Sequence, residues 1–192
     1  MSEIEIAPDM FVLGRRVHTA ADSRPAEAQL VDRIRSGDRE AFGEIYKMFA
    51  PLVHGIVLAR VPHDDVQDIV QDVFILAYNK LHTLRDSNAV GAWLVTIARN
   101  RAAEFYRHAK PTEELSEELT SKQIPDNQAR EILAAVRGLP DTYRETLILR
   151  LVEGMTGNEI AERTGLKPES VRVNLHRGME LLRQKLGIGG RK

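Results

Sequence analysis

Residues 156–177, TGNEIAERTGLKPESVRVNLHR, leave the backbone few alternatives. Thr156 and Glu159 have the spacing of a capping box, in which each side chain satisfies the other residue's amide, so a helix opens here. Ile160 and Ala161 give that helix an inner face, and Gly165 stops it. Pro168 has no amide proton to lose at a first helical position, so a second helix starts there. Val171, Leu175, Leu182 and Leu186 recur at helical spacing and keep one stripe of it buried. The opposite stripe should carry Lys167, Ser170, Arg172, Val173, Asn174, His176 and Arg177. Two short helices around a tight turn, with a basic outer stripe, read as a helix-turn-helix whose second helix fits the major groove of duplex DNA.

The same period runs through most of the 192 residues, with no strand alternation of useful length and no internal repeat. The predicted fold class is therefore all-α, with two helical domains joined by a flexible acidic linker. Residues 1–24 show no lasting period and read as a loose extension. The first domain, 25–109, begins with a helix marked by Leu30 and Ile34 that ends near Gly37. A second helix carries Phe42, Ile45, Tyr46, Phe49, Leu52, Val53, Ile56 and Val57 as core residues, with a bend expected at Pro51. A third spans about 64–81, with Val66, Ile69, Val70, Val73, Phe74 and Ala77 inside. A fourth spans about 90–108, where Trp93, Leu94, Ile97 and Ala98 read as core. Residues 110–127 contain Pro111, Pro125 and clustered glutamates and form the linker. The second domain, 128–188, adds helices at about 129–136 and 140–152 before the helix-turn-helix.

The formal net charge of −1 fits a DNA-binding chain only once it is mapped. Residues 167–192 hold seven Lys and Arg against two acids, and residues 85–110 hold five against two. Between them, 113–126 carry five acids against Lys122. Asp64, Asp65, Asp68 and Asp72 form a separate acidic helix face. This layout suits two contacts with nucleic acid and one with a protein partner. The absence of cysteine excludes disulfides and zinc-thiolate sites and points to a reducing compartment. The N-terminus shows only a four-residue apolar run at 10–13, and no run approaches spanning length, so a cytoplasmic location without membrane insertion is expected.

DDVQDIVQDVFILAYNKL (64–81) followed by AWLVTIARNRAAEFYR (92–107) resembles the second domain of bacterial RNA polymerase sigma factors. LPDTYRETLILRLVEGMTGNEIAERTGLKPESVRVNLHRG (139–178) resembles their fourth. With both blocks in order and little between them, the chain resembles the extracytoplasmic-function group over roughly residues 27–186. The resemblance implies a factor that binds core RNA polymerase and directs initiation at chosen promoters, with promoter DNA and an anti-sigma factor as further partners. It implies no catalysis, cofactor or metal of its own. Asp65, Asp68, Gln71, Asp72 and Phe74 would dock on the polymerase. Lys80, Arg85, Ser87, Asn88, Arg99, Asn100 and Arg107 would meet the minus-ten element, with the loop 82–89 receiving an unstacked base. Lys167, Ser170, Arg172, Val173, Asn174, His176 and Arg177 would meet the minus-thirty-five element.

This chain departs from the family pattern at Val173, Asn174, Gly178 and Met179 in the recognition helix, and at Tyr78, Val95 and Thr96 in the first domain. Val173 suggests apolar readout of a thymine methyl. Gly178 costs about 1 kcal/mol of helix propensity relative to alanine. Two other readings compete with this one. A dimeric helix-turn-helix regulator would bind a palindromic operator with half-sites about one helical turn apart. A His-Asp phosphohydrolase built on His54, His63 and Asp64 would need ligands converging from several helices.

Overall fold

The computed structural model describes residues 23–108 and 127–188. Among these residues there is no strand: α1 (Ser23–Arg35), α2 (Arg39–Leu58), α3 (Val66–Lys80) and α4 (Val90–His108) are followed by α5 (Asn127–Arg137), α6 (Asp141–Leu151), α7 (Gly157–Thr164) and α8 (Pro168–Lys185). Single 3₁₀ turns, His63–Asp65, Leu81–Thr83 and Ser87–Ala89, lead into α3, out of it, and into α4. The all-α expectation holds. The linker, except its last residue, and the extension up to residue 22 lie outside the described residues.

α2 is the central helix. Asp38 caps it, its carboxylate accepting from the amides of Glu40 at 3.0 Å and Ala41 at 3.2 Å. The chain enters from α1 through Gly37, whose φ of +99° suits a residue without a Cβ. α2 then continues through Pro51, although Pro51 cannot donate back to the carbonyl of residue 47. Ile45, Phe49, Leu52, Val53, Ile56 and Val57 are all at most 1% exposed, and this burial sustains the helix across the missing bond. Against the sequence expectation, α2 has the length and apolar composition of a membrane span. Its apolar residues face the other helices, which is how a core helix passes the same test.

Tyr46 does not join that core. It is 45% exposed, because at i+1 from Ile45 it is turned about 100° off the buried stripe. Trp93 is half-buried and packs against the core as expected. In the second half, α6 buries five consecutive residues, Glu145, Thr146, Leu147, Ile148 and Leu149. A helix covered on one face cannot do this; α6 lies between α8 and α2 and is covered from both sides. The buried apolar residues of both halves accordingly form one continuous cluster.

Candidate nucleic-acid interface

The helix-turn-helix forms as its sequence demands. Thr156 Oγ1 accepts from the Glu159 amide at 3.2 Å while Glu159 Oε2 accepts from the Thr156 amide at 2.8 Å. Gly165 closes α7 in the left-handed region, φ +75°, and Pro168 opens α8. Ile160, Ala161, Val171 and Leu182 seat the pair on α6. Lys167, Ser170, Arg172, Val173, His176 and Arg177 are exposed along the outer side of α8. Val173 is 41% exposed, an apolar patch between arginines.

Asn174 is a correction. It is only 8% exposed, because it falls three residues after Val171 and four before Gly178 and shares their inward stripe. Gly178 also has a packing role that composition could not indicate. A Cβ there would lie 3.1 Å from Leu147 Cδ1 and 3.2 Å from Tyr143 Cβ, so α8 approaches α6 closely at this glycine.

In the first half, the loop 82–89 is pinned rather than free. Leu84 anchors it in the core, and Arg35 of α1 donates to the Leu84 carbonyl. Ser87 Oγ donates to Asp32 Oδ1 and receives Arg35 Nη1, both at 3.0 Å. Asn88 donates its amide and its Nδ2 to Asp86 Oδ1, each at 3.0 Å. Ser87 and Asn88 therefore shape the loop, while Arg85 and Lys80 stay exposed. From Asn88 to Arg99 is roughly 16 Å along the helix direction, about three turns. Asn100 and Arg107 are exposed there, Arg107 standing 3.7 Å from Glu104.

Arg99 is engaged elsewhere. Its Nε donates to Glu145 Oε2 at 3.2 Å and its Nη2 to Glu145 Oε1, a two-pronged contact reaching from α4 to α6. Arg60, just beyond α2, donates to Glu145 Oε2 at 2.8 Å and to Asp141 Oδ2 at 3.0 Å. Burial pulls the Arg60 guanidinium downward, but hydrogen bonds and charge from Glu145 and Asp141 outweigh it, and the pKa stands above its ordinary value. Arg137, which donates to the Leu58 carbonyl at 3.2 Å, is lowered by its burial. His54 Nδ1 lies 2.6 Å from Glu153 Oε1, and Arg163 of α7 sits 5.3 Å over the Phe49 ring and donates to the Met48 carbonyl at 2.9 Å. Sequence reading missed this whole cluster; Glu145 sits off the apolar stripe of α6 and reads as a solvated acid. His54 is thus an interhelical partner. Among the described residues no three His, Asp or Glu gather as a metal set.

The acidic face forms on α3, with Asp68, Gln71 and Asp72 exposed and Asp65 half-buried in the turn before it. Phe74 is 4% exposed and so packs inside rather than standing on the surface, yet its ring floors a neighbouring cleft of about 440 Å³. Phe42, Tyr46, Ile75 and Tyr78 also line the cleft, together with Asp68 and Gln71 of the acidic face. The Tyr46 and Phe74 rings are 4.6 Å apart and the Phe42 and Tyr78 rings 4.9 Å, within the range of favourable aromatic pairs. Tyr46, Ile75 and Tyr78 are 43–52% exposed and form an apolar patch on α2 and α3.

Two family profiles match the chain: Sigma-70 region 2 over residues 45–112 and Sigma-70, region 4 over residues 129–182. The RNA polymerase sigma factor CarQ of Myxococcus xanthus is 30% identical over 166 residues, covering 82% of this chain and 95% of the relative. The ECF RNA polymerase sigma-E factor of Escherichia coli K12 is 30% identical over 176 residues, covering 82% and 92%. Among solved structures, CnrH in complex with the cytosolic domain of CnrY superposes with a TM-score of 0.59 at 25% identity, over 86% of this chain and 99% of that one. The fold is also that of the sigma factor RpoE in complex with the anti-sigma factor NepR from Bartonella quintana, TM-score 0.55 at 20% identity, over 78% and 98%.

Proposed function

The chain belongs to the sigma-70 family, in its extracytoplasmic-function group, and from that premise we propose which surface performs each part of the work. An alternative sigma factor binds core RNA polymerase and directs initiation at chosen promoters. A palindrome-binding dimer is not favoured, since two sigma regions account for both halves of the chain.

Residues 25–109 are the polymerase-binding and minus-ten module, and 128–188 the minus-thirty-five module. The observation that carries this reading is the segregation of charge and aromatic surface. Acids lie beside an open aromatic cleft on α3, whereas cations lie on α4 with its preceding loop and on α8. Asp65, Asp68, Gln71 and Asp72 supply the acidic rim for a basic partner helix on the polymerase, and Phe74 shapes the cleft beneath it. Tyr46, Ile75 and Tyr78 add desolvated contact area, which gives such a contact its affinity.

Arg85, Lys80, Arg99, Asn100 and Arg107 hold the minus-ten strand, with Ser87 and Asn88 fixing the loop that receives an unstacked base. Unstacking costs a few kcal/mol, which aromatic stacking and hydrogen bonds to the exposed base edge offset. Lys167, Ser170, Arg172, Val173, His176 and Arg177 face the minus-thirty-five duplex, and Asn174 supports their helix from inside. The phosphodiester chemistry belongs to the polymerase, and the factor acts where that enzyme does, in the cytoplasm. Likeness to sigma factors solved with anti-sigma proteins supports an anti-sigma partner for this chain too. Run-off transcription with purified core polymerase over a promoter library tests the assignment. Initiation at a defined two-element set is expected; factor-independent start sites would overturn it.

A further inference from the structure

The loop 82–89 takes its shape from α1, a helix with no assigned part in DNA contact. Arg35, the last residue of α1, spreads its guanidinium over two points of the loop, 49 and 52 positions further along the chain. Nη2 donates to the Leu84 carbonyl, and Nη1 donates to Ser87 Oγ at 3.0 Å. Ser87 Oγ in turn donates to Asp32 Oδ1 at 3.0 Å, and that oxygen also accepts from Arg35 Nη1 at 3.3 Å. The hydroxyl therefore gives its one proton to α1 and takes another from it, so a single side chain of the loop is gripped in both directions.

The base of this clasp is itself fixed. Leu30 and Val31 of α1 are buried, and Arg33 ties the end of α1 to the start of α2 through Asp38 at 2.7 Å. On the side of the loop, Leu84 is buried, and Asp86 Oδ1 accepts from both the amide and the Nδ2 of Asn88. Arg85 and Asp86 alone lie between the two gripped residues, and three Cα–Cα steps span at most about 11 Å. Asp86 is committed to Asn88, whereas Arg85 is exposed and makes no hydrogen bond or ion pair among the described residues. Its donor fork is free, while the backbone that carries it is held at Leu84 and Ser87.

We propose that Arg35 and Asp32 are positioning residues for the minus-ten readout: without touching DNA themselves, they hold Arg85 and the backbone around it in the arrangement that accepts the unstacked base. The proposal rests on the reading of the loop 82–89 as the receiver of that base. What the clasp supplies is preorganisation. A loop that must order itself as the base arrives loses affinity by the fraction of time it spends in the competent form, and it discriminates between bases only while it keeps its shape. The fork of an arginine is needed here, because one planar group holds two points three residues apart; a lysine ammonium is a point charge on a flexible stem and cannot do the same.

Holoenzyme made with the full-length chain is tested on duplex promoters bearing each base in turn at every minus-ten position, and on the same promoters opened in advance by mismatches. Arg35→Ala, Asp32→Ala and Ser87→Ala should each lower discrimination at the same minus-ten position about tenfold on both templates, as a loop competent one-tenth of the time requires. Discrimination in the minus-thirty-five element, affinity for core polymerase and helical circular dichroism should not move. Arg35→Lys should lose as much as Arg35→Ala, whereas Ser87→Thr, which returns the hydroxyl, should regain the parental ratio. Rescue by lysine, or a loss spread evenly over all positions, would make Arg35 a phosphate contact and overturn the proposal. A lowered urea midpoint with discrimination intact would overturn it too, since a clasp that serves stability alone behaves that way. Arg85→Ala and Asn88→Ala check the loop reading separately. If either alters discrimination at one position while Arg35→Ala does not, the clasp alone fails; if neither does, the loop reading fails and the proposal with it.

Discussion

On α8, Arg172 and Arg177 stand at i and i+5 with Val173 between them, so the recognition surface mixes two forked donors with one apolar contact. A bidentate arginine on guanine discriminates by about 1–3 kcal/mol, about 5- to 150-fold. Arg172→Ala or Arg177→Ala should lower use of minus-thirty-five promoters within that range while leaving affinity for core polymerase unchanged in a direct titration. Loss confined to one base position identifies base readout, whereas a uniform loss identifies phosphate contact. Val173 calls for a different probe, because its partner is a methyl group. Replacing thymine by uracil in the upstream element removes that methyl, worth about 0.8 kcal/mol or roughly fourfold. The parent should feel the change and Val173→Ala should not; equal responses would exclude the contact.

Among the elements, α2 carries a charged cap. The Arg33 guanidinium, then the Ala41 amide, hold the Asp38 carboxyl below the usual carboxylate range. A group whose folded pKa is depressed contributes stability that is complete above its unfolded value and disappears as pH falls through the folded one. Asp38→Asn keeps an oxygen to accept from the amides of Glu40 and Ala41 but cannot titrate. Its urea midpoint should therefore lie below the parent's at pH 7, and the gap should close as pH drops below about 4. A gap independent of pH would mean that the ion pair with Arg33, 2.7 Å in length, adds nothing. α8 shows the opposite economy. Gly178 weakens the helix intrinsically, yet it lets α8 lie close on Leu147 and Tyr143, so helix propensity is given up for packing.

For the whole molecule, function depends on surfaces that must be free at different times. Asp68 and Asp72 lie away from the contact between the halves, so Asp68→Lys with Asp72→Lys should abolish holoenzyme formation in gel filtration while helical content stays unchanged. Holoenzyme that still forms and initiates at the same promoters would remove α3 from the docking role. Much of this plan was readable from residue order. Helical periods, the Thr156 capping box, Gly165 and Pro168 are local signals, since each works through backbone groups a few residues away, and they place α7, α8 and the apolar stripes without knowledge of neighbours. Asn174 and Tyr46 marked where that reading stops. Their exposure depends on a turn of about 100° per residue and on which helix lies opposite. Glu145 lay further out of reach. Four residues before Leu149, in an eleven-residue helix, it looks like any solvated acid, and it becomes a buried anchor only because α2 and α4 bring Arg60 and Arg99 to it across 85 and 46 positions of chain. Periodicity encodes which side of a helix is apolar, whereas the partner that covers a charged side is set by packing between distant segments, and no local spacing records it.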